Sequence, residues 1–110
     1  MLMPSSIQVG PFRFTVNGSA DAVVRARTHA RDQRMGECDS RMLAILVDPT
    51  TPFQQQQDTL LHEVLHACWY VSGGYEKDMD EDTTVGRQTS IILDTLRRNP
   101  DLVAYLLAEG

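Results

Sequence analysis

The sequence is short of cysteine, with Cys38 and Cys68 as the only two in 110 residues. Two cysteines cannot build the disulfide framework of many small secreted proteins, and neither belongs to a Cys-x-x-Cys pair. Cys68 falls among the apolar residues of a predicted helix, which favours a small core residue. Cys38 falls in a predicted loop, where packing at a turn or strand edge is the simplest interpretation and a metal ligand is the alternative.

Positive charge is also scarce, because 10 lysines and arginines are outnumbered by 15 aspartates and glutamates, giving a net charge of −5. The arginines between positions 25 and 34 are interleaved with neutral and acidic residues, so we predict no nucleic-acid interface. No apolar run is long enough to span a membrane, and Met1–Ser6 lacks the basic and apolar parts of a signal peptide. We therefore expect a cytoplasmic protein that binds neither nucleic acid nor membrane.

Histidine is rare as well, but two of the three histidines fall four apart, in the run Leu60-Leu61-His62-Glu63-Val64-Leu65-His66-Ala67. Residues four apart on a helix lie on the same face, so both imidazoles can reach one metal ion. The glutamate after the first histidine is then placed to take a proton from a metal-bound water. The motif predicts a zinc site with His62 and His66 as ligands and Glu63 as catalytic base. The alternative is a surface helix with solvated side chains.

The helix that carries this motif is predicted independently of it. Thr51 suits the N-cap, Pro52 the first helical position and Gln54 the partner position of a capping box. The pair Gly73-Gly74 supplies a stop. Apolar residues cover two neighbouring faces of the helix, so we expect it to be central in the fold.

The remaining pattern predicts a single α+β domain over residues 1–110, with residues 1–6 flexible. Strands are predicted over Gln8–Val16, where Phe12, Phe14 and Val16 share one side, and over Met42–Val47. Further helices are predicted over about 19–33, from the acidic segment 75–82 through Arg98, and from Asn99-Pro100 onward. We expect a short antiparallel or mixed sheet of about two or three strands, packed on the motif helix and followed by the C-terminal helices.

A catalytic zinc site takes about three protein ligands, so a third must come from elsewhere in the chain. The acidic segment before Val85 offers Glu81 and Asp82, which both lie about one turn before the buried stripe predicted for that helix. Helix phase does not separate them, but the longer side chain of Glu81 reaches further between packed helices. The predicted stripe is Val85, Thr89, Ile92 and Leu96. The alternatives are Asp78, His29, Cys38 and a site with no third protein ligand.

Several segments together resemble small metallopeptidase-like proteins encoded by phages and prophages, which are similar to minimal gluzincins and distantly to the ImmA/IrrE peptidases. The resemblance covers roughly residues 7–108. The segments that carry it are Gly36-x-Cys38-Asp39, the strand Met42–Val47, the run Thr59–Ala67, the acidic helix start with Val85, and Leu96-Arg97-Arg98-Asn99-Pro100.

The resemblance implies a zincin-like fold and a zinc metallopeptidase acting in the cytoplasm of a bacterial host. It also implies a glutamate ligand on the later helix, which maps best to Glu81, and a sheet whose strand holds an extended peptide. We expect the peptide or protein substrate to pair with Met42–Val47. Candidates for the donor to the oxyanion are Tyr70, Tyr75, His29 and Arg87. Two rival interpretations are a non-catalytic zinc protein that contacts a host or phage partner, and an interaction module without metal.

Overall fold

The protein is described here by a computed structural model that covers residues 2–18, 35–74 and 79–109. Its four strands form one mixed sheet in the order β1-β2-β4-β3. The predicted α+β class is therefore confirmed, with four strands among the described residues instead of two or three. The elements are β1 (Ser6–Val9), β2 (Phe12–Asn17), β3 (Gly36–Asp39), β4 (Ala44–Val47), α1 (Phe53–Val71), α2 (Glu81–Arg98) and α3 (Pro100–Leu107). The helix predicted over about 19–33 lies outside the described residues.

The first predicted strand is a hairpin, because the chain turns at Gly10-Pro11 and pairs Val9 with Phe12. Gly10 has a φ of +56°, a conformation that glycine adopts at little cost and that a tight hairpin turn requires. In β2 the predicted inward face is confirmed at Phe14, which is fully buried. The sequence contains the turn residues, but the apolar alternation that follows them led to the prediction of one continuous strand.

Strand β4 lies inside the sheet, parallel to β2 on one side and antiparallel to β3 on the other. Its backbone is paired on both sides over Ala44–Leu46, so a peptide cannot add to this part of the strand as the sequence had suggested. Strand β3 was predicted as a loop because its four residues show no apolar alternation. It is the outer neighbour of β4 and pairs Cys38 with Ile45.

Helix α1 contacts the sheet and both other described helices, which confirms its predicted central position. The predicted capping box is wrong, since the N-cap is Pro52 and the hydroxyl of Thr51 donates to the Asp48 carbonyl at 2.8 Å. The predicted stop is confirmed, because Gly73 and Gly74 both have positive φ after the last helical turn. None of the described helices has the length and apolar character needed to cross a membrane.

Helix α2 begins at an N-cap, Asp80, whose carboxylate accepts the Thr83 N–H at 2.7 Å. The buried stripe predicted for it is wrong in its first half, since Val85 is 55% exposed and Thr95 is the fully buried residue. The residues of this helix that pack against the hydrophobic core lie in its second half, and an isolated apolar residue near its start is exposed to solvent. Asp78 lies outside the described residues.

Asn99 joins the helical part of the fold to the sheet. Its side-chain oxygen accepts the Gln8 N–H at 2.9 Å, and its amide donates to the Gln8 carbonyl at 2.8 Å and the Thr95 carbonyl at 2.7 Å. Helix α3 then starts at Pro100, as predicted. The core that these contacts enclose consists of Ile7, Val9, Phe14, Ile45, Val47, Leu60, Val64, Ala67, Cys68, Leu102 and Tyr105.

Candidate metal centre

His62 and His66 lie on the exposed side of α1 with their ring nitrogens facing each other. Their Nε2 atoms are 3.2 Å apart, and the ring planes meet at 67°. The helical spacing of four residues produces this arrangement, since it places the side chains one turn apart on the same face. The sequence prediction that both imidazoles point the same way is confirmed.

The spacing of the two nitrogens fits a shared metal ion. Zinc binds imidazole nitrogen at about 2.0–2.1 Å in a tetrahedral site, which places two such ligands roughly 3.3 Å from each other. The observed 3.2 Å is close to that separation. Without an ion, the same distance allows one protonated ring nitrogen to donate to the other. An arriving ion would replace that hydrogen bond without moving the rings far.

Glu63 completes the group on the inner side of the helix. Its ligand oxygen lies within 4.8 Å of the histidine nitrogens, and the side chain is only 6% exposed. These three residues are the one set of three or more possible metal ligands that the described part of the chain brings together. The stem of Glu63 packs against β3, where a Cβ atom on Gly36 would lie 3.4 Å from the Glu63 Cγ.

Cys38 of β3 is a neighbour of Glu63 but does not belong to the group. Burial and, to a smaller extent, the Glu63 carboxylate raise the pKa of the Cys38 thiol to about 11, against the opposing effect of a hydrogen bond from Ser40. The thiolate that binds a metal is therefore harder to form at Cys38 than at an ordinary cysteine. Cys68 packs in the core as predicted, with its sulfur 3.6 Å from the Thr95 hydroxyl.

Glu81 and Asp82 are exposed residues in the first turn of α2, outside the group of three. The α2 residues beside the histidines are Gln88 and Ile92. Glu81 lies on the same face of α2 as Gln88, but about 10.5 Å along the helix axis from it. The structure therefore does not bring Glu81 to the histidine pair, and its part as third ligand stays a prediction. His29 and Asp78 lie outside the described residues.

A groove of about 460 Å³ runs between α1 and α2 beside the histidine pair. Trp69 was missed as a site residue, although its position three after His66 places it on the same helix face. Gln88 left no signal in the sequence, because its place depends on how α2 packs against α1. The residues that line the groove are His62, Leu65, His66, Trp69, Gln88 and Ile92.

The described candidates for an oxyanion donor lie elsewhere. Tyr70 is 46% exposed and its ring contacts Phe12 with centroids 6.3 Å apart. Arg87 extends toward the end of α1, where its guanidinium nitrogen would be 3.6 Å from a Cβ atom on Gly73. Tyr75 and His29 lie outside the described residues.

Comparison with known proteins adds no relative, since no family model, curated protein or solved structure matches the chain. From its fold and site, the chain is a small α+β domain that carries a His-Glu-x-x-His group suited to a metal ion on its central helix.

Proposed function

We propose that the protein is a zinc-dependent metallopeptidase of the gluzincin type. The observation that carries the proposal is the 3.2 Å separation of the His62 and His66 nitrogens, with the Glu63 carboxylate in the same group. A zinc ion held there would polarise a scissile carbonyl and make water more acidic. The resemblance in sequence extends the proposal to a phage-encoded enzyme that acts in the cytoplasm of its host.

Glu63 is the proposed general base. It accepts a proton from the attacking water and passes it to the leaving amine. Its burial supports this role. The stem of Glu63 packs against β3, which restricts its rotamers and so limits the positions that the carboxylate can take beside the histidines. A peptide substrate would pair with β3, which has β4 on one side and no second partner among the described strands.

Glu81 is the proposed third ligand, as the longest carboxylate in the first turn of α2 and on the helix face that Gln88 shares. Asp82 supplies a matched control, because it is the next residue and is also exposed to solvent. We expect Glu81→Gln to weaken zinc binding roughly tenfold or more while Asp82→Asn leaves it unchanged. Equal affinities in the two variants would remove Glu81 from the site.

The catalytic proposal is tested with Glu63→Gln, which keeps the shape of the buried side chain and removes its charge. Wild type and variant are loaded with zinc, their metal content is measured, and hydrolysis of a broad mixture of peptides is followed by mass spectrometry. We expect equal zinc content and a loss of hydrolysis of about 10²- to 10⁴-fold in the variant.

Hydrolysis that is unchanged in Glu63→Gln would reject Glu63 as the base. Zinc binding by both proteins without hydrolysis by either would favour the rival function, a non-catalytic zinc protein that acts through a protein partner.

A further inference from the structure

We propose that the groove beside the histidine pair selects an apolar side chain of the substrate, an inference that rests on the proposed function. Both histidines lie on the wall of this groove, and its volume is about 460 Å³. That volume falls within the range of roughly 300–1,000 Å³ typical of ligand pockets. A peptide held at the histidine pair would therefore have a neighbouring side chain beside or inside the groove.

The lining decides which side chain fits. Among the described residues that line it, the two imidazoles are the only ionisable groups, since Leu65, Trp69 and Ile92 are apolar and Gln88 is neutral. A lysine side chain would lose hydration there without meeting a carboxylate among these residues. A leucine or phenylalanine side chain would instead cover the exposed apolar wall and gain from leaving water.

Substitution of two leucines of α1 distinguishes a role in the groove from a general effect of losing an exposed apolar side chain. Leu61 is 39% exposed and Leu65 is 41% exposed, and each directly precedes one of the histidines. Only Leu65 lines the groove. Removing either side chain should cost the fold a similar amount, while only the loss of Leu65 changes the pocket.

The chain also supplies its own reporter, because Trp69 is the single tryptophan in the sequence and lines the groove. The zinc-loaded protein is titrated with acetohydroxamic acid and with the hydroxamates of N-acetyl-leucine and N-acetyl-lysine, and Trp69 emission is followed. The group that binds metal is constant in this series, and the leucine and lysine compounds differ only in their side chain. Leu65→Ala and Leu61→Ala are titrated in the same way.

We expect the leucine compound to bind at least about tenfold more tightly than the lysine compound in the wild type. Leu65→Ala should lose most of this preference, and Leu61→Ala should keep it. Equal affinities for the leucine and lysine compounds in the wild type would overturn the inference, as would an equal effect of the two leucine substitutions.

A failure of the zinc site, on which the proposed function depends, gives a different result, namely that none of the hydroxamates binds, acetohydroxamic acid included. A zinc site without catalysis still binds them, and the hydrolysis experiment with Glu63→Gln identifies that case. The groove is then tested alone with the amides of N-acetyl-leucine and N-acetyl-lysine, which lack the group that binds metal. A preference for the leucine amide supports the apolar groove, and equal affinities overturn it.

Discussion

Gly36 of β3 lies against the stem of Glu63, so close that a Cβ atom on the glycine would be 3.4 Å from the Glu63 Cγ. The same Cβ atom would be 2.5 Å from the Thr59 Cγ2 and 2.7 Å from the Leu46 carbonyl oxygen. Because that oxygen belongs to the backbone of β4, the sheet itself has to shift to admit a methyl group. The absence of a side chain at position 36 therefore allows β3 to hold the proposed base in place.

Gly36→Ala should lower the free energy of unfolding by about 1–3 kcal/mol through overpacking. Gly86→Ala is the matched control, because Gly86 is an exposed residue inside α2 with nothing within 4 Å of a Cβ atom. That change should raise the free energy by about 0.5–1 kcal/mol, the usual gain of alanine over glycine in a helix. Urea denaturation measures both, and a Gly36→Ala protein as stable as the wild type would contradict the close approach.

The thiol of Cys38 should report the charge on Glu63. Burial, with the carboxylate of Glu63, raises the Cys38 pKa from 9.0 to about 11, so iodoacetamide should still react faster as the pH rises past 9.0. Glu63→Gln should lower this pKa and speed alkylation at a given pH. Glu37→Gln is the control, because Glu37 precedes Cys38 on the strand and points to the other face of the sheet.

Mass spectrometry identifies the modified cysteine and gives the rates. Equal rates of Cys38 alkylation in wild type, Glu63→Gln and Glu37→Gln would mean that the Glu63 carboxylate does not act on the Cys38 thiol. The raised pKa of Cys38 also makes stability depend on pH. The thiol ionises at a lower pH in the unfolded chain than in the folded one, so its contribution to the free energy of unfolding is complete below pH 9.0 and is lost as the pH rises toward about 11.

Substitution of Asn99 should lower the free energy of unfolding more than substitution of most other polar residues in the chain. It is 5% exposed and its side chain makes hydrogen bonds to the backbone of Gln8 and of Thr95. Asn99→Ala leaves buried backbone groups without partners, and we expect a loss of about 2–4 kcal/mol in the free energy of unfolding. Thr89→Ala removes only an exposed hydroxyl bonded to the Val85 carbonyl, and its effect should stay within about 0.5 kcal/mol. Similar losses for the two variants would show that the Asn99 bonds are not formed in solution.

Tyr105 carries a buried hydroxyl that has no hydrogen-bond partner among the described residues. Burial also raises the pKa of this phenol. Tyr105→Phe keeps the edge-on contact with the Phe53 ring, at 5.4 Å between centroids, and removes the unsatisfied group. The free energy of unfolding should therefore be unchanged or rise by up to about 1 kcal/mol. A loss of more than that in thermal or urea unfolding would mean that the hydroxyl has a partner in solution.

The parts of the site that depend on one helix were predictable from the sequence. The spacing of His62 and His66 determines their common direction, and the adjacent position of Glu63 determines its place beside them. Helix α3 was predictable for a similar reason, since Pro100 fixes its first turn.

The parts that depend on tertiary packing were not predictable. Strand β3 is short and polar, and it forms because β4 offers its backbone as a partner. The face that α2 presents to the site follows from its packing on β1 and α1, so Gln88 lines the groove beside Ile92, while Val85 of the predicted buried stripe is exposed. The third ligand could not be assigned from the motif for the same reason, because the packing of α2 against α1 sets its position relative to the histidines.

Every role proposed for the site depends on zinc binding by the two motif histidines. This binding is tested by titration of the purified protein with zinc in competition with a chromophoric chelator, for the wild type and for His62→Ala, His66→Ala and His29→Ala. The third histidine is the control, since it lies outside the motif. We expect one zinc ion per chain for the wild type and His29→Ala, and affinity at least about 100-fold lower for His62→Ala and His66→Ala. A wild type that binds no zinc, or a His62→Ala protein that binds it as tightly as the wild type, would rule out a zinc site at the histidine pair.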